Sequence, residues 1–115
     1  MRLILLVVSA GMCLAFTPLQ TNVIRASLAN YTPPEFVTIV DAPLRLDFGF
    51  TEADRTHVYI DGGKLKCCPN AFANVVHHEL DHTKGRDHNS IPGDIMSYRV
   101  TVDASGRTVE DPVVW

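Results

Sequence analysis

The chain has 115 residues, a net charge of −3, 46% hydrophobic and 20% charged residues. That suits one compact globular domain and excludes both a disordered chain and a pair of full-sized domains. No basic block stands out, which leaves nucleic-acid binding without compositional support, and no stretch reaches the ~18 apolar residues of a stable membrane span.

The N-terminal segment MRLILLVVSAGMCLAF sets one positive charge, Arg2, before an apolar run from Leu3 to Phe16. With small Cys13 and Ala15 near its end, this order predicts a secretory signal peptide over residues 1–15 and a single domain over residues 16–115. The protein is then secreted or extracytoplasmic. LILLVV also reads as a buried central strand, and under that alternative the protein is intracellular. Bulky Met12 speaks against lipid attachment at Cys13.

Val23, Ile24, Ser27 and Leu28 share one face of a weakly periodic helix, and the two prolines of YTPPEF break it. FVTIV (Phe36 to Val40) is a β-branched run and reads as a strand. LRLDFGF alternates, with Leu44, Leu46, Phe48 and Phe50 on one side, and predicts a half-buried strand. THVYID predicts a third strand, closed by a turn at DGG. Cys67 and Cys68 are adjacent, and neighbouring cysteines bridge each other only through a strained ring. Two free thiols, or a contact with another chain, are therefore expected.

From Asn70 the period changes. Asn70 reads as an N-cap, and AFANVVHHELDHTK is helical until Gly85 stops it. Phe72, Val75, Val76 and Leu80 form a stripe facing the sheet. Asn74, His77, Asp81 and Lys84 fall on the opposite, wet face. Beyond the helix, SIPGDIMSY is irregular, and RVTVDASGRTVED predicts a hairpin turning at Ser105-Gly106.

Four of the five histidines lie between His77 and His88. His78 and His82 stand one turn apart on the same face, placed to converge on one ion. Gly85 can adopt positive φ and turn the chain back, bringing His88 to the same point. Three imidazoles suit Zn2+, and an open fourth position is the geometry of catalytic zinc. Glu79 points elsewhere than its histidine neighbours and is placed to act as general base on a water at that position. From background residue usage, five such fixed positions arise by accident on the order of 10⁻⁷ times per starting position.

The pattern His78-Glu79-x-x-His82-x-x-Gly85-x-x-His88 resembles the full signature of the metzincin metalloproteases. Met96, eight residues after His88, resembles the methionine of the family's Met-turn at matrixin-like spacing. Met96-Ser97-Tyr98 is more similar to the astacin and serralysin turn, which makes Tyr98 a candidate fifth ligand or oxyanion stabiliser beside the reading of a buried, packing tyrosine. APLRLDF and HVYID loosely resemble matrixin strands, and the specific match covers residues 70–98. Asp81, Lys84 and Arg86 depart from the matrixin pattern, and Arg86 has no evident place.

The resemblance implies an α+β fold: a reduced metzincin-like (zincin-like) domain whose small mixed sheet packs on the active-site helix, with a Met-turn and a short C-terminal segment. It implies a zinc endopeptidase that cleaves protein or peptide substrates, with Glu79 as base and His78, His82 and His88 on the metal. The alternative is a catalytically silent, zinc-stabilised binding or inhibitor module on the same scaffold.

Overall fold

Two helices and six short strands organise the described part of the chain, which in this computed structural model comprises residues 3–7, 16–29, 36–105 and 107–109. The architecture is a small mixed α+β fold. β1 (Leu3–Val7), β2 (Phe36–Asp41), β3 (Gly49–Thr51) and β4 (His57–Ile60) form one sheet in the order β1-β2-β4-β3. β1, β2 and β4 are parallel; β3 runs antiparallel to β4 and is an outer edge. Central β2 buries Val37, Thr38 and Ile39 in succession, as a strand covered on both faces must.

LILLV thus pairs as a strand in the full chain, Leu3 opposite Phe36 and Val7 opposite Val40. The expected cleavage after Ala15 and the proline break over residues 31–35 lie outside the described residues. No helix among the described residues is long and apolar enough to cross a membrane.

α1 (Pro18–Ala29) starts with a reciprocal cap: the Gln20 amide N–H donates to Thr17 Oγ1, and the Thr17 N–H donates to Gln20 Oε1. Gln20 then donates its side-chain N–H to the Gly62 carbonyl at 2.9 Å, tying α1 to the turn after β4. The helix buries Ile24 and Ser27, with Val23 and Leu28 packed at the rim of the core, which is the predicted face.

α2 (Pro69–Thr83) begins two residues earlier than expected. Pro69 opens it because its missing N–H is one of the donors a helix start leaves unused. Cys68 is therefore the N-cap, and Asn70 lies in the first turn. The apolar stripe holds: Phe72, Val76 and Leu80 are fully buried against Ile24, Ile39, Val58 and Ile60. Each such side chain contributes about 1.5–3 kcal/mol by leaving water. The wet face holds only in part, with Lys84 exposed and His77 half-buried. Asn74 is fully buried and Asp81 only 9% exposed, because α1 packs on the same helix and the turn around Met96 also covers it.

Two further expectations are corrected. LRLDFGF is not a regular strand; only Gly49–Thr51 pairs, Leu46 is 85% exposed and Phe50 is 48% exposed. Side chains take over the hydrogen bonds that a ladder would have made. Lys64 Nζ donates to the carbonyls of Leu44, Arg45 and Asp47, and the Leu44 N–H donates to Asp61 Oδ2. Cys67 and Cys68 are not free thiols but form a disulfide with each other. The chain turns into Pro69 with both side chains on one side, their sulfurs 3.7 and 3.6 Å from the Thr108 carbonyl oxygen. The predicted hairpin is present as β5 (Thr101–Val102) and β6 (Thr108–Val109), with Gly106 outside the described residues.

Candidate metal centre

The end of α2 brings the three predicted ligands together. The Gly85 N–H donates to the His82 carbonyl and the Arg86 N–H to the Asp81 carbonyl, the two bonds of a Schellman motif. Gly85 takes a φ of +92°, open to glycine without strain, and the chain reverses there. His88 then faces the helix it has just left.

The Nε2 atoms of His78, His82 and His88 form a nearly equilateral triangle with sides of 3.0, 3.1 and 3.2 Å. Nitrogens on a tetrahedral ion at the ~2.0–2.1 Å bonds of zinc stand about 3.3 Å apart, close to that spacing. The outer hydrogen bonds fix which nitrogen is free. His78 Nδ1 donates to the Ile95 carbonyl at 3.0 Å, and His82 Nδ1 to the Arg86 carbonyl at 2.8 Å. With the proton held on Nδ1, both Nε2 lone pairs point at each other, an arrangement that repels unless a cation lies between them. Burial, reinforced by the neighbouring histidines and Arg99, lowers the pKa of His78 and His88, so the ligating neutral form is favoured. The cluster can hold a metal ion.

Glu79 is 5% exposed and sits beside the triad without joining it, its Oε2 3.9 Å from His78 Nε2. Burial pushes its carboxyl up to about 7, against the lowering effect of the Thr51 hydroxyl bonded to Oε1 at 2.8 Å. β3 runs hard against this carboxylate. A Cβ on Gly49 would fall 2.8 Å from Glu79 Cγ and 2.8 Å from a Val75 methyl, so only glycine fits. A cavity of about 460 Å³ opens along β3 and is lined by Gly49, Thr51, Glu79, His82 and His88. A second, of about 320 Å³, is lined by His78, Glu79, Val75 and Tyr98 among others.

Met96 is fully buried in the 3₁₀ turn Ile95–Ser97, which packs on α2 and supplies the carbonyl that orients His78. Tyr98 is half-buried, packs against the core and shares the smaller cavity with His78, Glu79 and His88. His77 stands apart from the triad, half-buried, its pKa lowered by burial despite the attraction of Asp81.

Sequence reasoning missed several residues here. Thr51 and Gly49 escaped because their role depends on how close β3 comes to α2. Arg55, with a φ of +62°, donates from its guanidinium to the His82 carbonyl at 2.8 Å and pins the β3–β4 turn to the helix end. Arg86, without a place in the sequence reading, bonds Asp81 at 2.7 Å and both oxygens of Asp94 at 2.8 and 2.9 Å. Glu52, Asp54 and His57 also lie within metal-binding distance of one another. They are exposed or half-exposed and bond among themselves and to Tyr59, with His57 Nδ1 and Asp54 Oδ2 2.7 Å apart.

Comparison with known proteins finds no matching family model, no matching curated protein and no matching solved structure.

Proposed function

We propose that this chain is a zinc-dependent endopeptidase on a reduced metzincin-like scaffold, with His78, His82 and His88 holding Zn2+ and Glu79 as general base. The observation that carries the reading is the position of Glu79. It is a buried carboxylate beside the histidine triangle, absent from it, and facing the same cavity. A purely structural metal site closes its coordination sphere and gives such a carboxylate no task.

When bound, zinc supplies Lewis acidity, polarising a peptide carbonyl and lowering the pKa of a water toward ~7. The protein's own groups do the rest. Glu79 takes the water's proton on its carboxylate and returns it to the leaving amine, while Thr51 holds the carboxylate in place. The outer edge of β3 offers unpaired backbone groups beside the cavity, to which an extended peptide can add as a further strand. In this reading Tyr98, which lines the smaller cavity beside His78 and Glu79, steadies the developing oxyanion.

The reading extends to location. The Cys67–Cys68 disulfide favours an oxidising compartment, in keeping with a secreted or extracytoplasmic enzyme. The second reading is a catalytically silent, zinc-stabilised binding or inhibitor module on the same scaffold. Metal content of the purified protein, measured together with cleavage of a mixed peptide library, tests the proposal. One zinc with turnover supports it, and one zinc without turnover supports the module.

A further inference from the structure

We infer that Arg86 is a positioning residue of the metal centre, one whose guanidinium locks the two backbone carbonyls that orient His78 and His82. The inference rests on the reading of the histidine triangle as a metal site and adds the device that holds its shape.

Three segments meet at Arg86. Its own carbonyl accepts the proton of His82 Nδ1 at 2.8 Å. Its guanidinium reaches back to Asp81 on α2 at 2.7 Å and forward to both oxygens of Asp94 at 2.8 and 2.9 Å. Asp94 in turn caps the 3₁₀ turn, Oδ1 accepting from the Met96 N–H at 2.9 Å. That turn carries the Ile95 carbonyl, which receives the proton of His78 Nδ1 at 3.0 Å. The loop bearing His88 runs from Arg86 to this turn. Helix end, ligand loop and methionine turn are therefore stitched through one planar, two-pronged cation.

The chemistry of the link follows from its parts. The fork is the planar guanidinium itself, Nη1 on Asp81 and Nη2 on both oxygens of Asp94, and it fixes direction as well as distance, which a lysine ammonium does not. Asp81 and Asp94 flank the guanidinium, and the Met96 N–H, joined by the guanidinium, holds the Asp94 carboxyl below its ordinary range. If the fork is lost, the Ile95 and Arg86 carbonyls are free to rotate relative to each other, and the imidazoles they aim lose their common focus. Outer-shell partners of metal-bound histidine typically change metal affinity 10–100-fold when removed. Arg86 and Asp81, two departures from the matrixin pattern, thereby acquire a joint purpose.

The test uses the full chain and three variants, Arg86→Ala, Arg86→Lys and Asp94→Asn, with Arg107→Ala on the distant hairpin as control. Zinc affinity is measured by competition with a chromophoric chelator, and the visible spectrum of the Co2+-loaded protein reports ligand geometry. Thermal melting and far-UV circular dichroism confirm folding. Arg86→Ala should weaken zinc binding by about 10-fold or more and change the cobalt spectrum. Arg86→Lys and Asp94→Asn, less disruptive to folding, should fall between it and the parent. Arg107→Ala should match the parent. A folded Arg86→Ala protein with affinity within about twofold of the parent and an unaltered cobalt spectrum would overturn the inference. So would a lowered melting temperature with both metal readouts unchanged, the signature of a merely structural bridge. A parent that binds neither metal defeats the metal reading itself and this inference with it.

Discussion

Thr51 on the outer strand donates its hydroxyl to Glu79 Oε1 on α2 at 2.8 Å, and the same hydroxyl lies 3.2 Å from the Glu79 carbonyl. Strand and helix are joined at the residue assigned the proton transfer. Burial raises the Glu79 pKa, and the Thr51 bond opposes that rise by favouring the ionised form. A general base works deprotonated, so activity climbs as pH rises through its pKa. Thr51→Val removes the opposing bond and should move the acid limb of the kcat/KM profile to higher pH, with zinc content unchanged. An acid limb that stays in place would separate Thr51 from the base.

Gly49 faces Glu79 and Val75 so closely that a methyl group would sit 2.8 Å from each. Gly49→Ala should cost about 1–3 kcal/mol of stability, the usual penalty for overpacking, and displace the carboxylate. Thermal melting and peptide hydrolysis measured side by side check this. Undiminished hydrolysis would mean that the carboxylate's position is not critical.

His88→Ala should lose the metal and destabilise the fold, because metal binding free energy is folding free energy in so small a domain. His77→Ala should keep one metal ion per chain, since His77 lies outside the triangle. Equal loss in both variants, measured by elemental analysis, would contradict the ligand set.

The contrast between His77 and His88 also marks how far the sequence could be read. Helical spacing placed His78 and His82 on one face, and Gly85 signalled the reversal that returns His88, because both rules are local. The wet face assigned to Asn74 and Asp81 failed for the opposite reason. A wheel drawn on one helix cannot register that α1 and the Met96 turn cover its far side. Neither amide atom of fully buried Asn74 has a hydrogen-bond partner among the described residues, which no local pattern anticipates. LRLDFGF misled through perfect alternation: Lys64, fourteen residues beyond its last phenylalanine, draws the carbonyls of Leu44, Arg45 and Asp47 out of a ladder. The Cys67–Cys68 disulfide was set aside on the strain of its ring, although the turn before Pro69 aligns both side chains.

The N-terminal run has two expected fates. Removal near Ala15 follows from the signal-like order of charge, apolar core and small residues. In the full chain Leu3–Val7 pairs with β2. N-terminal sequencing of the natural product should give a start near Phe16. A folded product that retains Met1 would mean that β1 is kept and would remove the signal-peptide argument for secretion.

The most direct measurement compares the parent with Glu79→Ala for zinc stoichiometry, thermal midpoint and peptide cleavage. Glu79 is not one of the three side chains that could hold the ion, so zinc content and folding should stay close to the parent. Hydrolysis should fall by at least ~10²-fold, the low end of what general acid–base catalysis contributes. A parent that holds one zinc yet cleaves nothing across a broad peptide library, or a Glu79→Ala variant that cleaves as fast as the parent, would contradict the account.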